Sequence, residues 1–216
     1  GWARKLNRRK ERRAQAEQLI NQLLASKARY FLFPLQLDSD AQIRLHSPFV
    51  GIADALRQVL ESFARHAPDD VRLVIKEHPL DNGVRDWELD AKDLAEQLGI
   101  ADRIDYIAWG DIETISQHSL GMVTINSTSG TLALAQTIPV VVLGTAIYDM
   151  PDLTNQAGLD AFWRNPVAPD AKTFAAFRRV LIDRCLIPGG FFSDEALDKV
   201  VTHAVARFEG RVLLPD

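Results

Sequence analysis

Cysteine is nearly absent: Cys185 is the one thiol in 216 residues. No intrachain disulfide can form, and no metal centre can rest on paired cysteines. Such a chain fits a reducing compartment. Long apolar runs are lacking too, so no segment has the length of a membrane-spanning helix. The amino end is basic but lacks the apolar core of a secretory signal. Three signatures are missing. There is no GxGxxG, which argues against a dinucleotide cofactor, and no GxxxxGK(S/T), which excludes a P-loop. Without GxSxG, no Ser-His-Asp order can be defended. A strong charge of one sign is also lacking, the formal net charge being -4. The charge is uneven, however. Arg4, Lys5, Arg8, Arg9, Lys10, Arg12 and Arg13 crowd the start and leave the remainder acidic. An acidic body argues against nucleic-acid binding, which needs a broad basic face.

What is present describes an ordinary globular chain, 47% hydrophobic and 25% charged, long enough for one α/β domain with extra helices. It has no initiator Met and opens inside a helical pattern, so it is expected to be the carboxyl part of a longer protein. Residues 2–28 read as one helix, with a partial apolar stripe of Leu6, Ala14, Ile20, Leu23 and Leu24 amid Lys and Arg. Two readings stay open for it: a solvated connecting helix, or a surface for anionic lipid or another anionic partner.

Tyr30-Phe31-Leu32-Phe33, closed by Pro34, reads as a buried strand, as do Leu73-Val74-Ile75, 104–107 and 122–125. Pro139-Val140-Val141-Val142-Leu143-Gly144 is so uniformly β-branched that burial on both faces is expected. A helix is expected from Phe49 to Phe63, with Val50, Ala53, Leu56, Val59, Leu60 and Phe63 at helical spacing. Others follow over 90–98, ended by Gly99, from the cap Asp111 to His118, and over 131–136, 171–186 and 194–208, the last capped by Ser193. The segment 145–170 reads as an active-site loop or a surface connection, and Trp163 as a core anchor. Strands alternating with helices predict an α/β fold, a Rossmann-like parallel sheet with helices on both faces. The expected organisation is a basic connecting helix over 1–28, a nucleotide-sugar-binding domain over 29–170, and carboxyl-terminal helices over 171–216 packing on it.

Three groups of residues carry candidate chemistry. Lys76-Glu77-His78-Pro79 follows a buried strand; Pro79 fixes the turn that aims His78, a candidate phosphate donor. Asn126-Ser127-Thr128-Ser129-Gly130 joins a strand to a helix. Its serines and threonine can simply cap that helix, or its free amides can bind an anion, with Gly130 clearing the approach. Gln36, Asp38, Asp40 and Gln42 follow the first strand. Turn chemistry explains aspartates there; a carboxylate facing the same edge as His78 can also act as nucleophile or base at an anomeric carbon. Asp38-Ser39-Asp40 spells a metal motif, but it is read as metal-free, and His46 and His118 as background. Carboxyl ends of parallel strands are where open α/β sheets hold ligands.

In these segments the chain resembles the capsule-polysaccharide biosynthesis family of Gram-negative bacteria, of the KpsS/LipB type. The matching stretches are 34–43, Lys76-Glu77-His78-Pro79, Asn126-Ser127-Thr128-Ser129-Gly130, and 139–144 with the following Tyr148. The resemblance implies a retaining glycosyltransferase of the two-domain GT-B type, using CMP-Kdo (Kdo is 3-deoxy-manno-octulosonic acid) as donor substrate, with no cofactor. This chain is similar to the carboxyl, nucleotide-binding domain, so the amino-terminal domain would be missing. The resemblance assigns the CMP phosphate to His78, Pro79, Ser127, Thr128, Ser129 and Gly130, with Lys76 beside them. It assigns the sugar chemistry to Asp40, with Asp38 and Gln36 alongside. It implies a phosphatidylglycerol-type acceptor, poly-Kdo linker synthesis, and a cytoplasmic enzyme touching the inner membrane. Two other readings stand beside it: a nucleotide-sugar epimerase or hydrolase, and a non-catalytic nucleotide-binding module of capsule assembly or export.

Overall fold

A computed structural model describes residues 2–211, with side chains from Lys10 onward. The chain divides into two compact units, Gly1–Ala171 and Lys172–Asp216. The first holds five strands: β1 (Tyr30–Pro34), β2 (Arg72–Lys76), β3 (Ile104–Ile107), β4 (Gly121–Thr124) and β5 (Val140–Val142). All neighbours pair in parallel, in the order β3-β2-β1-β4-β5. The sheet is therefore Rossmann-like. The chain winds outward from β1 through β2 to β3, then crosses back to β4 and β5, so the direction reverses between β1 and β4. Such a switch point opens a crevice at the carboxyl edge.

Helices α1 (Trp2–Ala25), α2 (Ala41–His46), α3 (Ile52–His66), α4 (Trp87–Gln97), α5 (Ile112–Gln117), α6 (Ser129–Ala135) and α7 (Leu159–Phe162) complete this unit. One sheet face, with Phe31, Phe33, Leu73, Ile75, Val123 and Val141, packs on α3, α4 and α7 in a single apolar core. Phe31, Phe63 and Phe162 surround Trp163, their ring centroids 5.0, 5.2 and 6.2 Å from its own, and Trp163 is buried as its apolar bulk requires. On the opposite face the Tyr30 hydroxyl donates to the Ile115 carbonyl of α5 at 2.6 Å. Burial there pushes the phenol up to about 12.

α3 forms because Ile52, Ala55, Leu56, Val59, Leu60 and Phe63 recur at helical spacing, and all six are buried. Val50, expected on that stripe, lies before the helix and is 88% exposed. β5 is an edge strand; Val140 and Val141 are buried and Val142 is half-buried. The segment after it folds back along that edge, where the Asn155 amide donates to the Val140 carbonyl at 2.8 Å. This covers an edge that would otherwise invite pairing.

The second unit contains α8 (Ala171–Arg184) and α9 (Asp194–Phe208), with Ser193 capping α9 through the Ala196 amide. Arg207 donates to the last carbonyls of α8, reaching Asp183 at 2.7 Å. No helix among the described residues is long and apolar enough to cross a membrane.

Candidate functional site

Two carboxamides join the carboxyl ends of β1 and β4, at the switch point. Gln36 follows β1, Asn126 follows β4, and both are buried. Gln36 Nε2 donates to Asn126 Oδ1 at 2.9 Å, and the Asn126 amide donates to Gln36 Oε1 at 3.1 Å. Asn126 Nδ2 donates onward to the Gln42 and His46 carbonyls at 2.8 and 3.1 Å. The Thr145 amide also donates to His46, at 2.7 Å. Together these bonds pin α2 over the ends of β4 and β5. Gln36, read from sequence among the catalytic residues, thus has both ends of its carboxamide engaged. Asn126 is singled out in the sequence as part of its motif but given no role of its own. Its signal was a carboxamide just past a buried strand, matched by a carboxamide at the end of the neighbouring strand.

The two aspartates cap helices. Asp40 Oδ1 accepts from the Gln42 amide at 2.9 Å and starts α2. Asp38 Oδ1 accepts from the Ile52 amide at 2.8 Å and caps α3, whose N-cap Gly51 has no side chain to do so. A Cβ on Gly51 would sit 2.6 Å from that oxygen. Asp38 is exposed and Asp40 is half-buried. Among the described residues, no three His, Cys, Asp or Glu side chains form a group able to hold a metal.

At the end of β2 the side chains diverge. Lys76 is 5% exposed, and its ammonium donates to the Glu77 carbonyl at 3.2 Å. No carboxylate lies within ion-pair distance of it among the described residues. Desolvation lowers its pKa, against the pull of Glu77 and Asp111. Glu77 turns to α1, accepting from Arg12 at 2.7 Å and from the Tyr106 hydroxyl at 3.0 Å. His78 is half-buried. Burial, then the Lys76 charge, lower its pKa; Asp81 and Asp40 act the other way. The Asp40 charge is therefore felt at His78, across the ends of neighbouring strands. Pro79 is exposed in the turn.

The Ser/Thr junction after β4 is partly closed on itself. Ser127 Oγ accepts from the Ser129 amide and hydroxyl at 3.2 and 2.9 Å, while the Ser127 amide donates to Thr124 Oγ1 at 3.1 Å. Thr128 is exposed, and neither its amide nor its hydroxyl has a partner among the described residues. Gly130 is buried under Tyr148, whose hydroxyl donates to the Ser127 carbonyl at 2.5 Å. A Cβ at position 130 would meet that hydroxyl at 2.5 Å, so the space the glycine leaves is filled by Tyr148. Burial raises the Tyr148 pKa, so the hydroxyl stays a donor. α6 has seven residues, so its helix dipole is short.

The basic helix is partly turned inward. Arg12 reaches Glu77 and Glu88, and the Arg13 guanidinium lies 5.0 Å from the Trp109 ring centroid. The side chains of Arg4, Lys5, Arg8 and Arg9 lie outside the described residues.

Comparison with known proteins adds relatives of stated function. The chain is 40% identical over 178 residues to the capsule polysaccharide modification protein LipB of Neisseria meningitidis, covering 82% of this chain and 42% of that protein. It is 38% identical over 181 residues to the capsule polysaccharide export protein KpsS of Escherichia coli, covering 84% and 46%. It thus spans less than half the length of these curated relatives. Among solved structures, the beta Kdo 2,7 transferase of Thermosulfurimonas dismutans KpsC aligns with a TM-score of 0.48 and 21% identity, over 76% of this chain and 52% of that one. The family model described as capsule polysaccharide biosynthesis protein matches residues 1–192, and this chain belongs to that family.

Proposed function

We propose that this chain is the donor-binding half of a GT-B glycosyltransferase that moves Kdo from CMP-Kdo to a phosphatidylglycerol-type lipid acceptor during capsule linker synthesis. The observation that carries the reading is Lys76. A buried ammonium normally has a carboxylate against it, because desolvation of a lone charge is costly. Here its one hydrogen-bond acceptor among the described residues is a carbonyl, and His78 stands beside it. A phosphate in the crevice supplies the missing anion. His78 donates to it from the loop after β2 and Thr128 from the loop after β4, the strands on either side of β1, and the Gln36–Asn126 pair ties the loop after β4 to the loop after β1.

In this reading the bond between the Kdo anomeric carbon and the CMP phosphate oxygen breaks, and CMP leaves with the electron pair. Asp40 attacks the opposite face and forms a glycosyl ester. The acceptor hydroxyl oxygen then bonds to the anomeric carbon, the Asp40 carboxylate leaves with the ester's electron pair, and the hydroxyl proton passes to solvent, so two inversions retain configuration. Asp40 suits the role better than Asp38, because it is half-buried and its charge reaches His78. The acceptor-side domain belongs to the longer protein and closes over the carboxyl edge. Work on a lipid acceptor places the enzyme at the cytoplasmic face of the inner membrane.

Calorimetric titration with CMP, UMP, UDP and GDP tests the donor assignment. Selective CMP binding is expected. Selective UDP or GDP binding would keep a transferase and discard Kdo. Binding of none would favour an assembly module. Labelled CMP-Kdo with the longer protein separates transfer, seen as glycolipid, from hydrolysis or epimerisation.

A further inference from the structure

His78 has two ring nitrogens, and the fold commits one of them. The Asp81 amide donates to the His78 carbonyl at 3.0 Å, closing a four-residue turn with Pro79 at its second position. The proline ring fixes φ there, and the third residue, Leu80, brings its amide to His78 Nδ1 at 3.1 Å. A backbone N–H can only donate, so Nδ1 holds a lone pair. In a neutral imidazole the proton then sits on Nε2. Nε2 has no partner among the described residues, and the ring is half-buried at the carboxyl edge.

We propose that the Pro79–Leu80 turn locks His78 as the neutral Nε2–H tautomer, the form in which it meets the nucleotide phosphate as a hydrogen-bond donor and not as a cation. The role toward phosphate rests on the function proposed above; the lock does not. A second proton on Nδ1 would confront the Leu80 N–H and break the turn's side-chain bond. The charged groups around the ring are Lys76 on β2, Asp81 in the turn and Asp40 at the head of α2. Lys76 supplies the positive charge of the site, so a second cation at His78 is not needed for an anion to bind. The lock also gives Pro79 and Leu80 a function: they position the ring.

Imidazole nitrogen NMR of the free protein reads the tautomer directly. The expected result at neutral pH is a proton on Nε2 and a bare, hydrogen-bonded Nδ1. A doubly protonated ring, or a proton on Nδ1, would overturn the lock. On adding CMP, the Nε2–H signal should shift while the tautomer persists. His78→Gln carries an amide donor near the Nε2 position and should keep CMP affinity within about threefold, whereas His78→Ala should lose about tenfold. His78→Lys should not rescue; full recovery by lysine, with loss in the glutamine variant, would mean that a cation is required. If CMP fails to bind while the ring shows Nε2–H, the lock stands and the nucleotide reading falls. If CMP binds but His78 becomes a cation in the complex, the nucleotide reading stands and the neutral-donor proposal falls.

Discussion

Lys76 and His78 are the residues at which fold and proposed function pull apart. Burying the Lys76 ammonium with a single carbonyl acceptor works against stability. Lys76→Met keeps the aliphatic stem and removes the charge. It is expected to raise the midpoint of thermal unfolding, by about 1 kcal/mol of stability, and to weaken CMP binding about tenfold. A variant that loses stability and binds CMP normally would take Lys76 out of the site. His78 predicts the acid limb of stability. Its folded pKa lies below the ordinary 6.5, so the unfolded chain takes up the proton first. The stability linked to His78 is complete above about 6.5 and is lost as pH falls from there through the lowered folded value. His78→Gln should flatten that limb in denaturant melts; an unchanged limb would assign the acid sensitivity elsewhere. The sequence made His78 legible, because strand, histidine and proline are contiguous. Asp40's cap on α2 is local, through Gln42, but Asp38's role was hidden, because the helix it caps begins at Ile52, more than ten residues away.

At the scale of elements, legibility followed periodicity. α3 was readable because one face of about four turns of sequence is apolar. α2 was not, because six residues with Ile43 alone buried leave no stripe; α2 is pinned by Asn126 and Thr145, eighty or more residues downstream of the carbonyls they reach. α1 shows the other limit. Its basic residues suggest solvent or lipid, yet Arg12 and Arg13 face Glu77, Glu88 and Trp109, which come together only in the folded sheet. Because Glu77 stands between Lys76 and His78, the dock of α1 is mechanically joined to the candidate phosphate loop. Arg12→Ala should cost no more than about 1 kcal/mol globally, since the pair is partly exposed. Amide exchange in α1 and across 77–81 should accelerate while α3 keeps its protection. Equal exchange in α1 before and after the substitution would mean that its packing, through the buried Ala16 and Leu23, holds it without the ion pair.

For the whole molecule the governing fact is length: the chain spans less than half of its curated relatives. A parallel sheet with its crevice at the carboxyl edge can hold a nucleotide by itself, but transfer needs an acceptor held against the sugar. The rim of that edge is apolar and uncovered, with Leu45 at 74%, Val50 at 88%, Leu80 at 75%, Val84 at 87% and Ile147 at 71% exposure. Exposed aliphatics on α2 and in the segments following β1, β2 and β5 suit contact with another apolar surface better than contact with water. The expected outcome is therefore a division: this chain alone binds CMP without turnover, and the longer protein transfers Kdo from CMP-Kdo to lipid. Asp40→Asn in the longer protein should abolish transfer, while this chain carrying the same change still binds CMP, because an amide oxygen can cap α2 as the carboxylate does. Transfer at full rate by the isolated chain would show that the acceptor binds within these residues, and full activity of Asp40→Asn would move the nucleophile to Asp38 or outside the chain.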